Sequence, residues 1–300
     1  MEWLTCIKSS IDYIEEHLLE IKSVEEVASN AYVSSFYLQQ GFQILTGYSI
    51  GEYIRNRKLY LAAKELTRKG TKVVDIAFKY GYETHESFTK AFTRFHGFSP
   101  SKVNLKGNSI KRFEPLTINV SIRGGNVVDL NYKITTMFPF KVIGFVREFD
   151  FENSYKEIPL FWDEICEKYC KNIYAGNKPA NDYEQAIMDN CIGEFGVCID
   201  CKGSKFKYMI AGKYTGGKVP EGMMLFEFPM QKWAIFDCIG PCPETLQALN
   251  TKIFKEWLPF NKDFEPASNY NIEWYDCVNG EKWDPDYHTQ IWIPVKNTNK

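Results

Sequence analysis

The sequence predicts a two-domain protein in which an all-α N-terminal domain is followed by an α+β C-terminal domain. Three observations predict this class. A helix–turn–helix pattern occurs twice within the first hundred residues, helical periodicity stops soon afterwards, and strand and helix patterns then alternate toward the end of the chain. A chain of 300 residues is long enough for about two domains of ordinary size. We therefore expect a helical domain at residues 1–106, a linker at 107–129 and a mixed domain at 130–296.

The overall composition is that of a globular protein. Apolar residues make up 44% of the chain and charged residues 25%, which are average values for soluble proteins. Every apolar run is interrupted well before the roughly 18 residues that a transmembrane helix needs. The first residues, MEWLTCIKSSIDYIEEH, lack the order of basic, apolar and small residues found in a signal peptide. We therefore expect a cytoplasmic protein with no membrane partner.

The nine cysteines predict neither a metal site nor a disulfide framework. Their number is odd and a chain of this size needs no cross-links, so in a reducing compartment they are expected to be small buried side chains. Cys198 and Cys201 form a Cys-x-x-Cys pair, but a zinc site would need two further ligands at comparable spacing. The four histidines are scattered and supply no such pair. We therefore predict no metal, no cofactor and no catalytic residue.

One supersecondary pattern occurs twice in the N-terminal region. The segment SVEEVASNAYVSSFYLQQGFQILTGYS aligns with KVVDIAFKYGYETHESFTKAFTRFHGFS. The matched pairs are Val24, Val27, Ala28 and Val33 with Val73, Ile76, Ala77 and Tyr82 at an offset of 49, and Leu38, Phe42, Gly47 and Ser49 with Phe88, Phe92, Gly97 and Ser99 at 50. The slip of one residue falls between two helices, where a turn can absorb it. The repeat predicts two helix–turn–helix units, at about 23–47 and 72–97.

The second unit carries clear start and stop signals. Its first helix is expected to end at Gly81, because glycine takes a left-handed backbone at little cost. Its second helix is expected to follow Thr84, an N-cap residue, and to bury Phe88 and Phe92 at helical spacing. In the first unit Tyr32 stands where the second has Gly81, so we expect a less tight turn there.

A single long amphipathic helix is predicted between the two units, over residues 49–70 and ending at Gly70. The residues whose spacing fits this helix are Ile50, Tyr53, Ile54, Arg57, Leu61, Ala62 and Leu66. A rigid helix of this kind would hold the two units at a fixed separation. Since the major groove of DNA recurs every ~34 Å, two units held in this way can enter successive grooves from one chain.

These motifs resemble those of a known family. The segment VVDIAFKYGYETHESFTKAFTRFHGFSP, residues 73–100, is similar to the signature of AraC/XylS-type transcription regulators in its A-x-x-x-G-Y, its spaced phenylalanines and its closing G-x-S-P. The resemblance covers residues 1 to about 105. It implies that the N-terminal domain binds double-stranded promoter DNA.

The side chains expected to read DNA lie on the second helix of each unit. With the apolar residues of these helices turned inward, the outer or flanking positions are Phe36, Gln39, Gln40, Gln43, His85, Glu86, Thr89, Lys90 and Arg94. Glutamine pairs with adenine, lysine with guanine, and threonine contacts the thymine methyl group. The family uses these positions for base and phosphate contacts, a role that the resemblance implies above all for Gln39, Gln40, Glu86 and Lys90.

A basic run lies on and after the predicted long helix. Across residues 55–72, seven lysines and arginines face a single acid, Glu65. Alone, such a run most often coats a solvated face. Beside two helix–turn–helix units, some of these side chains are expected to contact phosphates, which position a protein on DNA without reading its sequence. The residues expected to do so are Arg55, Arg57 and Lys72, together with Lys79, which follows the run.

The C-terminal region has strand and helix patterns in a doubled order. The strand patterns are FPFKVIGFVREF, EFGVCID, KFKYMIAGKY, KWAIFDCIG, NYNIEWYDC and HTQIWIPV, and the helix patterns are SYKEIPLFWDEICEKYC and CPETLQALNTKIFKEWLPF. Each half is strand–helix–strand–strand, which predicts an α+β domain whose halves join their sheets. Between such halves a cleft is a natural ligand site. Before them, LTINVSI, residues 116–122, alternates like an exposed strand.

This region resembles the GyrI-like effector-binding domains of several multidrug-responsive regulators. The resemblance covers about residues 130–296 and rests on VIG, YMIAGKY, VPEGM, KWAIFDCIGP, KEWLP, IEWY and IWIPV, in that order. In that family a glutamate on the strand matching NIEWY lies inside an aromatic pocket. The resemblance implies this role for Glu273.

The residues themselves support an acidic, aromatic site. On an alternating strand Glu273 and Tyr275 share one face. A carboxylate among aromatic rings loses hydration, and a lipophilic cation can restore a partner to it while stacking on the rings. Candidate walls of the pocket, each of which could singly be core instead, are Trp162, Phe195, Tyr208, Trp233, Phe236 and Trp257.

The two resemblances imply a one-component transcription regulator. Its effector is expected to be a small lipophilic molecule, with a cation as one form, that alters DNA binding or the contact with RNA polymerase. A monomer or weak dimer is expected, because two linked units can contact DNA without a second copy. Two alternatives stay open: the C-terminal domain is a hydrolase with Glu273 as general base, or it contacts another protein and binds no ligand.

Overall fold

The computed structural model describes residues 3–118, 130–277 and 281–298. The first range forms six α-helices: α1 (Trp3–Glu16), α2 (Val24–Asn30), α3 (Ser35–Thr46), α4 (Ile50–Leu66), α5 (Val73–Lys79) and α6 (His85–His96). A single 3₁₀ turn follows at Pro100–Lys102. The two helix–turn–helix units are therefore α2–α3 and α5–α6, with the expected long helix, α4, between them.

Local capping signals fix the ends of these helices. The N-caps of α2, α3, α4 and α6 are all serine or threonine, and each side chain accepts a hydrogen bond from the backbone N–H three residues later. Gly47 ends α3 and Gly97 ends α6, both in the left-handed conformation, with φ of 79° and 83°. The second helices of the two units, α3 and α6, therefore carry equivalent signals at both ends, whereas Lys72 at the start of α5 makes no side-chain cap bond.

The turns inside the two units have the same backbone geometry. In the second unit Gly81 has a φ of 83°, and the next N–H donates to the carbonyl of Ala77 at 3.0 Å. In the first unit Tyr32 has a φ of 53°, and the next N–H donates to the carbonyl of Ala28 at 3.2 Å. The expectation of a less tight first turn is therefore wrong, because the tyrosine adopts the conformation that glycine adopts in the second.

The C-terminal region is built on one antiparallel sheet. Its strands are β1 (Tyr132–Met137), β2 (Phe140–Asp150), β3 (Phe195–Lys202), β4 (Lys205–Lys213), β5 (Met223–Phe228), β6 (Gln231–Ile239), β7 (Phe264–Pro266), β8 (Asn271–Tyr275) and β9 (His288–Asn297). In the described part of the chain the strand order is β1-β6-β9-β8-β3-β4-β2-β5, and β7 pairs with β9. Strands β1, β5 and β7 extend this sheet at its margins and were not predicted from the sequence.

The helices of this domain pack on one face of the sheet. They are α7 (Ser154–Ile165), α8 (Lys171–Tyr174), α9 (Asp182–Asn190), α10 (Glu244–Lys252) and α11 (Leu258–Phe260). A π-helical turn joins α7 to α8 at Cys166–Cys170, and another joins α10 to α11 at Ile253–Trp257. None of the helices in the described ranges combines the length and the apolar character that a bilayer-crossing helix requires.

Two equivalent halves make up the sheet. One half is β2–α7–β3–β4 and the other is β6–α10–β8–β9, and they meet where β3 pairs with β8, with Phe195 opposite Trp274. In each half a π turn follows directly after the long helix, α7 in the first half and α10 in the second. The predicted doubled strand–helix–strand–strand layout is confirmed.

The segment after the second unit packs back on the helical domain. The carbonyl of Phe113 accepts a hydrogen bond from Arg57, and the hydroxyl of Tyr53 accepts one from the N–H of Leu116 at 3.2 Å. Residues 116–118 of the predicted exposed strand have no strand conformation, and its remaining residues, 119–122, lie outside the described ranges.

Three apolar clusters hold the described chain together. The first joins α1, α2, α3 and the start of α4 to the helix-covered face of the sheet. The second lies between α4, α5 and α6. The third lies on the opposite face of the sheet. The first helix–turn–helix unit therefore shares a core with the C-terminal domain, whereas the second unit has a core of its own.

Candidate nucleic-acid interface and effector site

The outer face of α6 is open to solvent. Phe88 and Phe92 point inward and are fully buried. Thr89 is partly buried at the flank of the helix. Of the residues predicted to read DNA on this helix, His85, Glu86, Lys90 and Arg94 are exposed. All five residues predicted to read DNA on this helix therefore lie on its outer or flanking face, and their contact with DNA stays a prediction.

The corresponding face of α3 is covered by the C-terminal domain. Phe36 is fully buried and Gln39 is 2% exposed, although both were expected to face outward. Gln40 and Gln43 are partly buried. The Nε2 of Gln39 donates to the carbonyl of Gly203 at 2.7 Å. The expected exposure is wrong for the conformation seen here, because residues that follow 164 positions later cover this face.

The residues predicted to contact phosphate differ in accessibility. Arg55 and Lys72 are exposed. Lys79 is also exposed, and its Nζ lies 2.6 Å from a carboxylate oxygen of Glu65. An exposed ion pair of this kind is worth little and can exchange for a phosphate. These three residues therefore keep their predicted role as proposals.

Arg57 is a structural residue. It is 4% exposed, and its guanidinium donates to both carboxylate oxygens of Glu15 at 2.8 and 2.7 Å. The prediction that it contacts phosphate is wrong, because the bidentate pair ties α4 to α1 inside the domain. Its basic neighbours in the sequence gave no sign of this difference.

Glu273 lies at the centre of a polar network on the helix-covered face of the sheet. Its Oε2 accepts hydrogen bonds from the hydroxyls of Tyr208 at 2.7 Å and Tyr275 at 2.9 Å. The Nε1 of Trp162, on α7, donates to the hydroxyl of Tyr208 at 3.0 Å, and the Trp162 ring lies 5.1 Å from the ring of Tyr275. The structure thus brings together four of the residues predicted to bind effector.

The surroundings of Glu273 disfavour its charge. Burial raises the pKa of its carboxyl group, and the hydrogen bonds from Tyr208 and Tyr275 only partly oppose the rise. Burial also raises the pKa of both tyrosines, so they stay neutral donors near pH 7. As a whole residue, Glu273 is half-buried. A carboxyl group that has lost its hydration gains most from a cationic partner.

Phe236 and Trp257 lie on the same face of the sheet as Glu273, and β9 lies between the strand of Phe236 and that of Glu273. Ile291 of β9 pairs with Glu273 on one side and with Phe236 on the other. The rings of Phe236 and Trp257 are 4.9 Å apart, and Tyr132 stacks on Phe236 at 5.3 Å. These rings form an aromatic cluster beside the Glu273 network.

Phe195 and Trp233 lie on the opposite face. The register pairs Phe195 with Trp274, the neighbour of Glu273 on β8, and successive side chains point to opposite faces. The rings of Phe195 and Trp233 lie 5.8 and 6.2 Å from the ring of Trp292 in the third apolar cluster. The expectation that these two rings wall the same pocket as Glu273 is therefore wrong.

Gly196 is a site residue that the sequence analysis missed. A Cβ at this position would lie 2.0 Å from the hydroxyl of Tyr208 and 2.7 Å from Oε2 of Glu273. Only glycine leaves room for their hydrogen bond. The available signal was a glycine inside the strand pattern EFGVCID, which is typical of a close approach by another group.

Tyr155 is a second site residue that was not predicted from the sequence. Its hydroxyl accepts a hydrogen bond from Nδ2 of Asn250 at 2.7 Å, which joins α7 to α10. Burial raises the pKa of Tyr155 to about 12, and the negative charge of Glu273 adds to the rise. Tyr155 therefore lies within electrostatic reach of the Glu273 carboxylate. No local pattern marks either residue, because their meeting depends on the fold.

Two helix–turn–helix units joined to a domain with a buried carboxylate among aromatic rings define a DNA-binding regulator with an effector-binding domain. The family model for a helix–turn–helix domain matches residues 27–105. The family model for the integron-associated effector binding protein matches residues 133–295, which is more than half of the chain. The chain belongs to the AraC-type transcription regulators that carry a GyrI-like effector-binding domain of the integron-associated type.

Curated relatives match the helical domain. The HTH-type transcriptional activator AarP of Providencia stuartii is 35% identical over 112 residues, which is 36% of this chain and 83% of that protein. The multiple antibiotic resistance protein MarA of Escherichia coli strain K12 is 33% identical over 106 residues, 34% of this chain and 84% of that protein. A solved structure of SAV2435 bound to tetraphenylphosphonium shares 19% identity with a TM-score of 0.43, covering 55% of this chain and 94% of that one.

Proposed function

We propose that this regulator binds promoter DNA through the outer faces of its two recognition helices, and that its effector is a lipophilic cation held over Glu273. The single observation that supports the effector is the geometry at Oε2 of Glu273, which accepts hydrogen bonds from two tyrosines beside the ring of Trp162. The carboxylate supplies the counter-charge, and the rings supply apolar and cation–π contacts.

The energetics favour a cation over a neutral ligand. Burial makes the charged form of Glu273 unfavourable, so a group that pairs with that charge recovers part of the lost free energy. A cation with aromatic substituents also stacks on Trp162 and Tyr275, where each cation–π contact is worth about 0.5–2 kcal/mol. A diffuse organic cation suits such a site because it is weakly hydrated and loses little by leaving water.

Calorimetric titration with tetraphenylphosphonium at about pH 8 tests this proposal. We expect Glu273→Gln to bind at least tenfold more weakly than the native chain, because the counter-charge is lost, an effect of about 1.4 kcal/mol or more. Glu227→Gln is the matched control, since it removes the same charge from an exposed side chain on β5. Neutral triphenylphosphine oxide should not distinguish the variants. Equal binding of the cation to both chains would remove the acidic-site proposal.

The DNA-reading residues are proposed to be His85, Glu86, Thr89, Lys90 and Arg94 on α6, and Gln39, Gln40 and Gln43 on α3. Support comes from the exposed outer face of α6 and from membership of the AraC-type regulators. The match to a transcriptional activator also supports RNA polymerase as a further partner.

Hydrolysis of a reactive small molecule is a second candidate for the same site. It is favoured by the raised pKa of Glu273, since a carboxylate of higher basicity is better suited to remove a proton from water. Turnover of an activated ester such as p-nitrophenyl acetate, lost in Glu273→Gln, would support the hydrolase. Ligand-dependent thermal stabilisation without turnover would support the sensor.

A further inference from the structure

The first recognition helix is hydrogen-bonded to the C-terminal domain. The Nε2 of Gln39 donates to the carbonyl of Gly203 at 2.7 Å and contacts Sγ of Cys201 at 3.2 Å. The hydroxyl of Tyr37 donates to the carbonyl of Tyr270 at 3.0 Å. These bonds attach α3 to the β3–β4 hairpin and to the loop before β8. The side-chain amide of Gln39 is therefore hydrogen-bonded to protein groups and is not available to a base.

Aromatic packing closes the same interface. The ring of Phe36 lies 5.9 Å from Phe151 and 6.1 Å from Phe206. The ring of Tyr37 lies 6.2 Å from Phe254 in the second π turn. Phe36, Tyr37 and Phe254 have no exposed surface. The interface is thus packed like a domain interior and is not a loose contact between neighbouring domains.

Gly41 of α3 leaves room for the rings that pack at this interface. A Cβ at this position would lie 3.1 Å from the ring of Phe254 and 2.1 Å from the ring of Trp3. Glycine weakens a helix interior, so its presence in α3 calls for a packing reason. The close approach of Trp3 and Phe254, whose rings are 5.9 Å apart, supplies it.

The second recognition helix is not covered in this way. Among the described residues, the buried core around α6 is built from the helical domain alone, including Leu59, Ile76 and Val103. Its outer residues Lys90 and Arg94 are exposed. The two units therefore differ in availability: α6 can enter a groove as the chain stands, and α3 cannot.

Helix α7 is shared by the docked helix and the Glu273 site. At its N-terminal side, the carbonyl of Glu152 accepts a hydrogen bond from Nε2 of Gln43 at 3.4 Å, and Tyr155 lines a small recess together with Gln43. Farther along, Trp162 contacts the tyrosine network of Glu273. A bulky cation that stacks on Trp162 would contact α7, whose N-terminal end lies beside Gln43 of α3.

We propose that this arrangement is a closed state, in which the C-terminal domain occupies the DNA-reading face of α3, and that a cation bound over Glu273 opens it by shifting α7. The inference rests on the proposed effector site and adds its regulation. In the closed state one major groove is read by α6, and in the open state α3 can enter the next groove, ~34 Å along the duplex. The effector acts only through its preference for the open state.

The test compares the full-length native chain with Cys201→Glu, with Cys201→Ser as the matched control. A glutamate at 201 crowds Gln39 and places a second carboxylate near Glu25 of α2, which accepts the N–H of Gly203. It therefore opposes docking from the C-terminal side. Added negative charge by itself weakens DNA binding, so tighter binding cannot arise from general electrostatics.

The probe is a duplex selected by the Cys201→Glu chain from a library of about 30 random base pairs, nearly three helical turns. We expect Cys201→Glu to bind about tenfold more tightly than the native chain, which corresponds to a strong shift from closed to open. Its hydroxyl-radical footprint should be longer by about one turn, and its salt dependence steeper, because more phosphates are contacted. Cys201→Ser should match the native chain.

Tetraphenylphosphonium should give the native chain the longer footprint and leave that of Cys201→Glu unchanged. Tyr37→Phe, which removes only the bond to Tyr270, should give a smaller change in the same direction. With a duplex selected by Tyr37→Phe itself, it also covers the case in which Cys201→Glu fails to fold. A native footprint that already spans two grooves, or variant footprints equal to the native one, would overturn the closed state. Absence of DNA binding in every chain would instead defeat the proposed function, and failure of the cation to bind would defeat the effector alone.

Discussion

Tyr32 and Gly81 occupy the same position in the two helix–turn–helix units and share a left-handed backbone, with φ of 53° and 83°. For a residue with a Cβ this conformation costs roughly 1–2 kcal/mol. Tyr32 is 84% exposed, so its ring gains little from packing. The first unit therefore tolerates a local strain that the second avoids.

Tyr32→Gly is expected to raise the free energy of unfolding by about 1 kcal/mol, since relief of the strain exceeds the entropy that glycine adds to the unfolded chain. Urea denaturation followed by circular dichroism measures the change. Gly81→Ala is the mirror control and should lose a similar amount, because its new Cβ meets only Lys58 Nζ, at 3.8 Å. A destabilised Tyr32→Gly would show that the tyrosine ring makes a contribution that its exposure does not suggest.

Arg57→Ala is expected to destabilise the chain by about 3 kcal/mol, because it leaves the carboxylate of Glu15 without its bidentate partner. Arg57→Lys should restore little, since an ammonium group cannot donate to both oxygens in the same geometry. Thermal or urea unfolding checks both. If the loss appears instead in DNA affinity, with unchanged stability, the assignment of Arg57 as a structural residue fails.

Lys90→Ala should weaken binding to a selected DNA duplex by about tenfold at fixed salt, as expected for loss of one base or phosphate contact. Lys133→Ala, on the exposed strand β1, is the charge-matched control and should bind like the native chain. A relaxed sequence preference would show that Lys90 contacts a base. A salt dependence of DNA affinity whose slope is smaller by about one would show that it contacts a phosphate. Unchanged affinity would contradict the placement of α6 in a groove.

The stability difference between Glu273→Gln and the native chain should depend on pH. In the folded chain the pKa of Glu273 is raised, so it contributes stability that is present below its unfolded pKa, about 4.3, and lost as pH rises through the folded value. The variant has no such group. Its stability relative to the native chain should therefore increase with pH over this window and then level off, as measured by urea unfolding at several pH values. A difference that does not change with pH would show that Glu273 is not perturbed.

Gly196→Ala should abolish binding of tetraphenylphosphonium while leaving DNA binding by α6 intact. The added methyl group takes the space in which the hydroxyl of Tyr208 meets Glu273, so the network must separate. Calorimetric titration measures the loss, and the Lys90-dependent DNA affinity serves as the control for folding. Native affinity for the cation in this variant would mean that the ligand does not use this network.

The sequence predicted the helices of the two units, α4, α7 and α10, six of the strands and the group around Glu273, because each depended on local signals. It predicted no helix at α1, α8 or α9. The caps and glycines of the repeat set the helix ends, and alternation on β8 placed Glu273 beside Tyr275. The faces of Phe195 and Trp233 could not be predicted. Both faces of the sheet carry buried clusters, so GVCI and WAIF are apolar throughout and alternation gives no direction.

Burial of Gln39 and Arg57 was also beyond local pattern. Gln39 meets Gly203 across 164 residues, and Arg57 meets Glu15 across 42. A polar residue on a predicted outer face is indistinguishable, in sequence, from one covered by a later domain. Only the fold decides which it is.

The division of the apolar clusters has a consequence for how the chain unfolds. The boundary that the sequence suggests lies between the helical region and the sheet, yet the first cluster crosses it and the second does not. Cooperative melting follows shared cores, so α2 and α3 should lose structure together with the sheet, while α5 and α6 form an independent unit. The two helix–turn–helix units would then unfold in different transitions. Unfolding of the first unit would accompany that of the effector domain, and unfolding of the second unit would be separate from it.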